Sequence, residues 1–236
     1  MNAIVRDQLI ALNARFYQEF ATSFSSTRLR LQPGVERILL TLPLDSRLLD
    51  LGCGNGELAR RLTARGFEGV YVGIDFSAPL LVFTSPEVDQ SIHFILSDLS
   101  SPTWDAALPP QPFDAILSFA VLHHLPGADL RLRLLQQARL HLAPGGRFIH
   151  SEWQFHHSPR LTARILPWET IGLTVADVDP GDTLLDWRQD GHGLRYVHLF
   201  NEEELSLFAR SGGFTIQDSF YSDGRSGDLA LYQVWG

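Results

Sequence analysis

The chain has 236 residues, 44% of them hydrophobic, which fits one large α/β domain able to bury a full core. Its formal charge is −8 and all 19 basic residues are arginine; without lysine, a Walker-type phosphate loop and a pyridoxal-phosphate Schiff base are excluded, and the acidic balance speaks against non-specific nucleic-acid binding while leaving room for a local arginine patch. No apolar run approaches the roughly 20 residues that span a bilayer, no signal-peptide pattern opens the sequence, and the single cysteine, Cys53, forbids an internal disulfide, so a cytoplasmic location is expected.

Asn2 to Phe20 reads as an amphipathic helix, with Ile4, Val5, Leu9, Leu12, Phe16 and Phe20 at helical spacing. Ser23 to Arg28 follows as a polar loop. Pro33-Gly34 then opens a second helix, Val35 to Thr41, which stops before Pro43. From Arg47 the chain alternates: strands are predicted at 47–51, 69–74, 92–96, 113–118 and 146–152, and helices at 56–65, 77–83 and 128–142. Pro109-Pro-Gln-Pro112 marks a loop, and Ala143-Pro-Gly-Gly146 a tight turn before the fifth strand. Strands separated by helices imply parallel pairing with right-handed crossovers. A helix over Glu202 to Arg210 precedes two further strand patterns, 214–221 and 228–235, joined hairpin-fashion by Ser222-Asp-Gly-Arg-Ser-Gly227. The least regular part is Trp153 to Asn201. A segment of that length, following the carboxyl end of a strand, reads as a substrate lid, with a plain structural insertion as the alternative.

The stretch Arg47-Leu-Leu-Asp-Leu-Gly-Cys-Gly-Asn-Gly-Glu57 organises the chain. A buried strand breaks into Gly52, Gly54 and Gly56 and then a helix, so a ligand can lie against bare backbone and unpaired helix N–H groups. The third glycine comes one place too early for the dinucleotide fingerprint. Asp75 ends the second strand, where an acid that binds ribose hydroxyls belongs, although an Asp there can also be a helix cap. The third strand runs into Ser97-Asp98-Leu99 and the fourth into Ala120-Val-Leu-His-His-Leu125. In this order the set resembles the class I S-adenosylmethionine-dependent methyltransferases. The resemblance implies a Rossmann-like α/β fold: a seven-stranded, mostly parallel sheet with an antiparallel last strand and helices on both faces. It implies one domain over 1–236, leading helices 2–41 covering the cofactor, and a lid at about 153–201. It further implies S-adenosyl-L-methionine as cofactor, its methionine part passing the glycine loop, its ribose on the acid after strand two and its adenine amino group near the acid after strand three. The cofactor set so implied is Asp50, Gly52, Cys53, Gly54, Gly56, Asp75, Phe76, Asp98, Leu99 and Ser118. Cys53 reads as a small packing residue rather than a reactive thiol.

Four runs sharpen the likeness: Phe16 to Arg28, Ser118 to Leu125, Leu166-Pro-Trp168, and Arg195-Tyr-Val-His-Leu-Phe200 with Glu204-Leu205. They look like the tRNA methyltransferases that esterify 5-carboxymethyluridine at the wobble position. The likeness spans roughly residues 16 to 220 and departs from that pattern at 156–164 and 170–190. It implies a tRNA acceptor and, as in the eukaryotic members, a small zinc-binding activator subunit. Methyl transfer from a sulfonium is an in-line displacement, so the protein must align the partners and exclude water. A carboxylate acceptor needs a clamp rather than a base, and arginine suits it. Arg28 and Arg195 are the clamp candidates and His124 the residue facing the substrate, each with a structural role as alternative. If residues 195–198 are extended, Tyr196 and His198 share one face, to line a base pocket or to pack the lid. His150, His156 and His157 lack a metal-ligand set, and no metal is expected. A tRNA enzyme must also hold phosphates, so arginines such as Arg28, Arg30, Arg60, Arg61 and Arg65 are expected to cluster near the cleft mouth, or a partner to supply the charge. The other acceptor class is a small molecule methylated at O, N or C.

Overall fold

A computed structural model describes residues 1–26, 30–84 and 91–236. The first helix, α1 (Ala3–Glu19), is capped by Asn2, whose side chain accepts the Val5 amide at 3.0 Å. The loop expected after it is instead a short helix, α2 (Ala21–Ser26). Its sequence is polar, and tertiary packing decides: Phe24 lies edge-on to Tyr17 and Phe16. The helix α3 (Pro33–Leu39) begins at its proline, which is pre-set for a first helical turn.

The alternating core follows as β1 (Arg47–Leu51), α4 (Glu57–Ala64), β2 (Val70–Asp75), α5 (Ala78–Leu81), β3 (Ile92–Leu96), β4 (Phe113–Phe119), α6 (Ala128–Leu140) and β5 (Leu142–Trp153). β5 starts earlier than the glycine pair suggests. Leu142 already pairs with Phe113, and the turn residues are taken up as a register irregularity before Arg147 pairs with Ala115. The segment that looked irregular contains α7 (Pro159–Thr162) and three short strands, β6 (Ile165–Leu166), β7 (Asp182–Trp187) and β8 (Gly193–His198), which form their own antiparallel sheet. The chain then runs through α8 (Glu202–Ser211), β9 (Ile216–Ser222) and β10 (Ala230–Trp235).

In the large sheet the strand order is β3-β2-β1-β4-β5-β10-β9, parallel except for β10, which is antiparallel to both neighbours. β1 and β4 are adjacent, and from them the strand order runs in opposite directions; that switch point is where open α/β sheets bind ligands. Both faces are covered. Leu130, Leu134 and Leu135 of α6 and Leu205 and Phe208 of α8 pack on one side, and Val35, Ile38, Leu58 and Leu62 of α3 and α4 on the other. Leu48, Leu49 and Leu51 are fully buried, the continuous apolar run that a strand covered on both faces requires. The small sheet is built onto α1: Val5 and Leu9 form one cluster with Trp168, Leu184 and Tyr196. Among the described residues no helix is long and apolar enough to cross a membrane.

Candidate active site

A cavity of about 520 Å³ opens at the carboxyl ends of β1, β2 and β4. Its floor is the glycine loop. The Gly52 and Cys53 amides both donate to the Ile74 carbonyl, at 2.7 and 2.9 Å, so the loop folds over the end of β2. Gly52, Gly54 and Gly56 all have positive φ, between 57° and 75°. A Cβ on Gly52 would stand 2.6 Å from Val121, whereas one on Gly54 would meet no atom within 4 Å, so the loop opens onto the cavity at Gly54. The Gly54 amide donates to Asp75 Oδ2 at 2.9 Å, and the Ser77 amide to Oδ1 at 2.8 Å. Burial pushes the Asp75 carboxyl above the usual range, against the pull of the Ser77, Gly54 and Phe76 amides. Three amide donors leave the carboxylate a lone pair for a further one, which a ligand hydroxyl can supply. The expected cofactor therefore fits this cradle. Asp50, Cys53, Phe76, Asp98 and Leu99 also line the cavity. Cys53 packs under Gly73, and burial pushes its thiol well up, which suits an unreactive packing residue.

The opposite wall comes from the N-terminal helices and the small sheet. Arg195 on β8 is buried, and its guanidinium carbon lies 4.9 Å from the Phe16 ring centre, 5.1 Å from Trp187 and 5.4 Å from Trp153. Three aromatic faces hold the cation at the cavity edge. His124 follows β4, and its Nδ1 lies 3.3 Å from the Tyr196 carbonyl. A carbonyl only accepts, so the neutral ring carries its proton there and Nε2 accepts from the Tyr17 hydroxyl at 2.9 Å. Beneath it, His123 and His150 flank the wholly buried Glu152, at 2.9 and 3.0 Å. Burial pushes the Glu152 carboxyl well above its usual range and lowers His150 to about 3. Ala120, at φ 58°, turns the chain from β4 into this cluster.

Several expected residues lie elsewhere. Tyr196 and His198 do not reach the cavity: along β8 alternate residues face opposite ways, and Arg195 takes the cavity side. The Tyr196 hydroxyl accepts from Arg131 at 2.7 Å and donates to Asp182 at 2.6 Å, and His198 bridges Asp182 and Glu204 at 2.7 and 2.9 Å. Burial opposes ionisation of Asp182, but the His198 and Tyr196 hydrogen bonds and nearby Arg131 hold its carboxyl below the usual range. Gly56 caps α4, and Ser118 lies buried behind the wall. Arg28 is outside the described residues. Among the described residues the expected arginine cluster does not form. Arg60 and Arg61 pair with Glu57, and Arg65 caps α4; only Arg30 of the described members lines the cavity. Arg160 and Arg164 line it instead. Among the described residues, no group of three or more His, Cys, Asp or Glu side chains is placed to hold a metal ion.

The sequence reading missed Asn13, Tyr17, Glu152, Arg160 and Arg164. Asn13 carried a legible signal, a polar residue at helical spacing from Leu9, Phe16 and Phe20. Its amide donates to the His124 and Tyr196 carbonyls, both at 3.1 Å, and its oxygen accepts the Tyr196 amide at 2.9 Å.

A family model described as a methyltransferase domain matches residues 23–219. The tRNA (carboxymethyluridine(34)-5-O)-methyltransferase of Schizosaccharomyces pombe is 28% identical over 228 residues, covering 87% of this chain and 89% of its own length. The enzyme of the same name from Arabidopsis thaliana is 29% identical over 194 residues, 81% of this chain; the chain spans only 45% of that relative. Among solved structures, the DhpI–SAM–HEP complex superposes with a TM-score of 0.69 at 20% identity over 97% of both chains, a likeness of fold.

Proposed function

The chain belongs to the methyltransferase domain family, and we propose that it moves a methyl group from S-adenosyl-L-methionine to an anionic acceptor, the carboxylate of 5-carboxymethyluridine at the tRNA wobble position being the leading reading. The cradle suits that cofactor: Asp75 would accept from a ribose hydroxyl, Asp98 and Leu99 would meet the adenine, and the backbone at Gly52 to Gly54 would pass the methionine part. When bound, the cofactor supplies an electrophilic methyl group on a positively charged sulfur. The chain's own residues align and enclose. The reading rests on one observation, the buried Arg195 guanidinium boxed by Phe16, Trp153 and Trp187 at the cavity wall. Its planar fork can take a carboxylate bidentately and hold it in line with the donor. A carboxylate is already ionised near neutral pH, so no side chain need remove a proton. His124 and Tyr17 then act as positioning residues, their mutual hydrogen bond fixing the wall between the acceptor and the sheet. Residues 153–201 and the leading helices serve as a cover that keeps water out.

A small anionic metabolite is the second reading. A cavity of about 520 Å³ walled by Leu161, Trp187 and Leu229 suits a single small molecule. One assay separates the two. Native protein, with and without a zinc-binding activator subunit, is incubated with labelled cofactor and tRNA that carries 5-carboxymethyluridine. The expected product is a methyl ester that mild alkali releases as labelled methanol. In Arg195→Ala, transfer is expected to fall roughly 100-fold or more while S-adenosylhomocysteine affinity by calorimetry holds, because the clamp touches only the acceptor. Full activity in that variant removes the clamp, and native protein that leaves such tRNA unmethylated removes the tRNA reading.

A further inference from the structure

Charges of both signs line the cavity, Glu57, Asp223 and Arg30 among them. Asp50, Asp75 and Asp98 stand at the carboxyl ends of β1, β2 and β3, on the cofactor side. Arg160 and Arg164 enter from the cover. They are four positions apart, the Arg164 amide donates to the Leu161 carbonyl at 2.9 Å in a turn that follows α7, and both line the cavity. On this acidic chain Arg60, Arg61, Arg131 and Arg188 each have a carboxylate within reach. Arg160 and Arg164 do not: among the described residues neither guanidinium has a hydrogen bond or an ion pair. Two cations that line a cavity without a protein anion are available to a ligand's anion.

The small sheet places the backbone at Arg164 relative to the clamp. Ile165 pairs with Leu185, and Leu185 with Arg195, so Arg164 sits one residue beyond a row that ends at Arg195. The separation across two strand spacings is about 10 Å. The Arg164 carbonyl accepts the Asp186 amide at 2.9 Å, which ties the turn to β7. A methylated carboxylate at Arg195 and a phosphate at Arg160 and Arg164 can therefore belong to one acceptor.

We propose that Arg160 and Arg164 form a grip for a phosphate group carried by the acceptor. The inference rests on the proposed function for the acceptor's place in the cavity and adds its second anionic group. A phosphodiester of an RNA and the phosphomonoester of a single nucleotide offer the same chemistry, and the test separates them. The probe is an anticodon stem-loop RNA carrying 5-carboxymethyluridine, followed by fluorescence anisotropy over a range of salt and by methyl-transfer kinetics. The Arg160→Ala/Arg164→Ala variant is expected to flatten the slope of log K against log salt by about 0.7 to 0.9, because the one phosphate that the two side chains no longer neutralise keeps its counterion. It is expected to raise KM roughly tenfold or more with kcat within about twofold, because the grip holds the acceptor without touching the reacting atoms. Unchanged S-adenosylhomocysteine affinity shows that the variant is folded, and Arg160→Lys/Arg164→Lys recovers most of the slope. If the double alanine variant keeps the native slope and KM, the grip is wrong, while methylation of that RNA by native protein still stands. If native protein ignores the RNA but binds 5-carboxymethyluridine 5′-monophosphate more tightly than the nucleoside, and only while both arginines are present, the grip stands and the tRNA acceptor falls. If neither arm responds to the two arginines, the proposal is overturned.

Discussion

Asp50 is the buried penultimate residue of β1, and the Tyr71 hydroxyl donates to it. Burial outweighs that hydrogen bond and, with Asp75 close by, pushes the Asp50 carboxyl up to about 7. The sign for stability follows from linkage. Between about pH 4 and pH 7 the unfolded chain has released this proton and the folded chain has kept it. Stability is therefore full at the acid end of that window, falls as pH rises through it, and levels off above pH 7. Asp50→Asn keeps an oxygen for Tyr71 and removes the titration. Relative to the native protein, the variant is expected to gain stability across this window by up to about 1.4 kcal/mol per pH unit. Urea unfolding of both proteins from pH 4.5 to 8 measures it, and parallel stability curves would remove the argument.

At the scale of elements, the small sheet ends at β8, which has a partner strand on one side only. The backbone groups of Tyr196 face outward there, and α1 covers them with one side chain: Asn13 accepts from the Tyr196 amide and donates to its carbonyl, as a neighbouring strand would. Because Asn13 also donates to the His124 carbonyl, a single amide joins α1, the cover and the wall behind the cavity. Asn13→Ala leaves the buried Tyr196 amide without its acceptor and removes one donor each from the Tyr196 and His124 carbonyls. A loss of about 2 to 4 kcal/mol is expected, concentrated in the cover. Hydrogen exchange reads this directly. The Tyr196 amide should lose protection while those of β1 keep theirs, and an unaltered Tyr196 amide would mean that α1 does not hold the edge.

Over the whole molecule, legibility followed the range of the interactions. The glycine-loop wall of the cavity could be read from the sequence because its parts are local. A buried run breaks at Gly52, the next strand stops at Asp75, the next runs out two residues before Asp98, and consecutive strand ends meet along the edge of one sheet. The acceptor side is assembled from pieces far apart in the chain, such as Asn13 with Tyr196 or Tyr17 with His124, and no spacing announces such pairs. The strands of the cover hid for a related reason. β7 and β8 put apolar side chains on both faces, Leu184 with Leu185 and Tyr196 with Val197, because α1 packs on one face and Phe155 and Leu161 on the other, so the expected alternation is missing. Tertiary packing likewise made α2 a helix where composition indicated a loop.

The arrangement around Arg195 also has an optical consequence. Trp104, Trp168 and Trp235 are shut inside the cores, while Trp153 and Trp187 wall the cavity with the guanidinium against both rings. An anion that binds this arginine changes the electric field most at those two indoles, which lie against the guanidinium. Native emission should therefore shift when a carboxylate-bearing nucleoside is added and stay nearly constant with S-adenosylhomocysteine alone. The shift should vanish in Trp153→Phe/Trp187→Phe; a shift that survives there would place the anion away from Arg195. The protein thus carries an intrinsic fluorescent reporter of its acceptor end, usable before any acceptor has been identified by turnover.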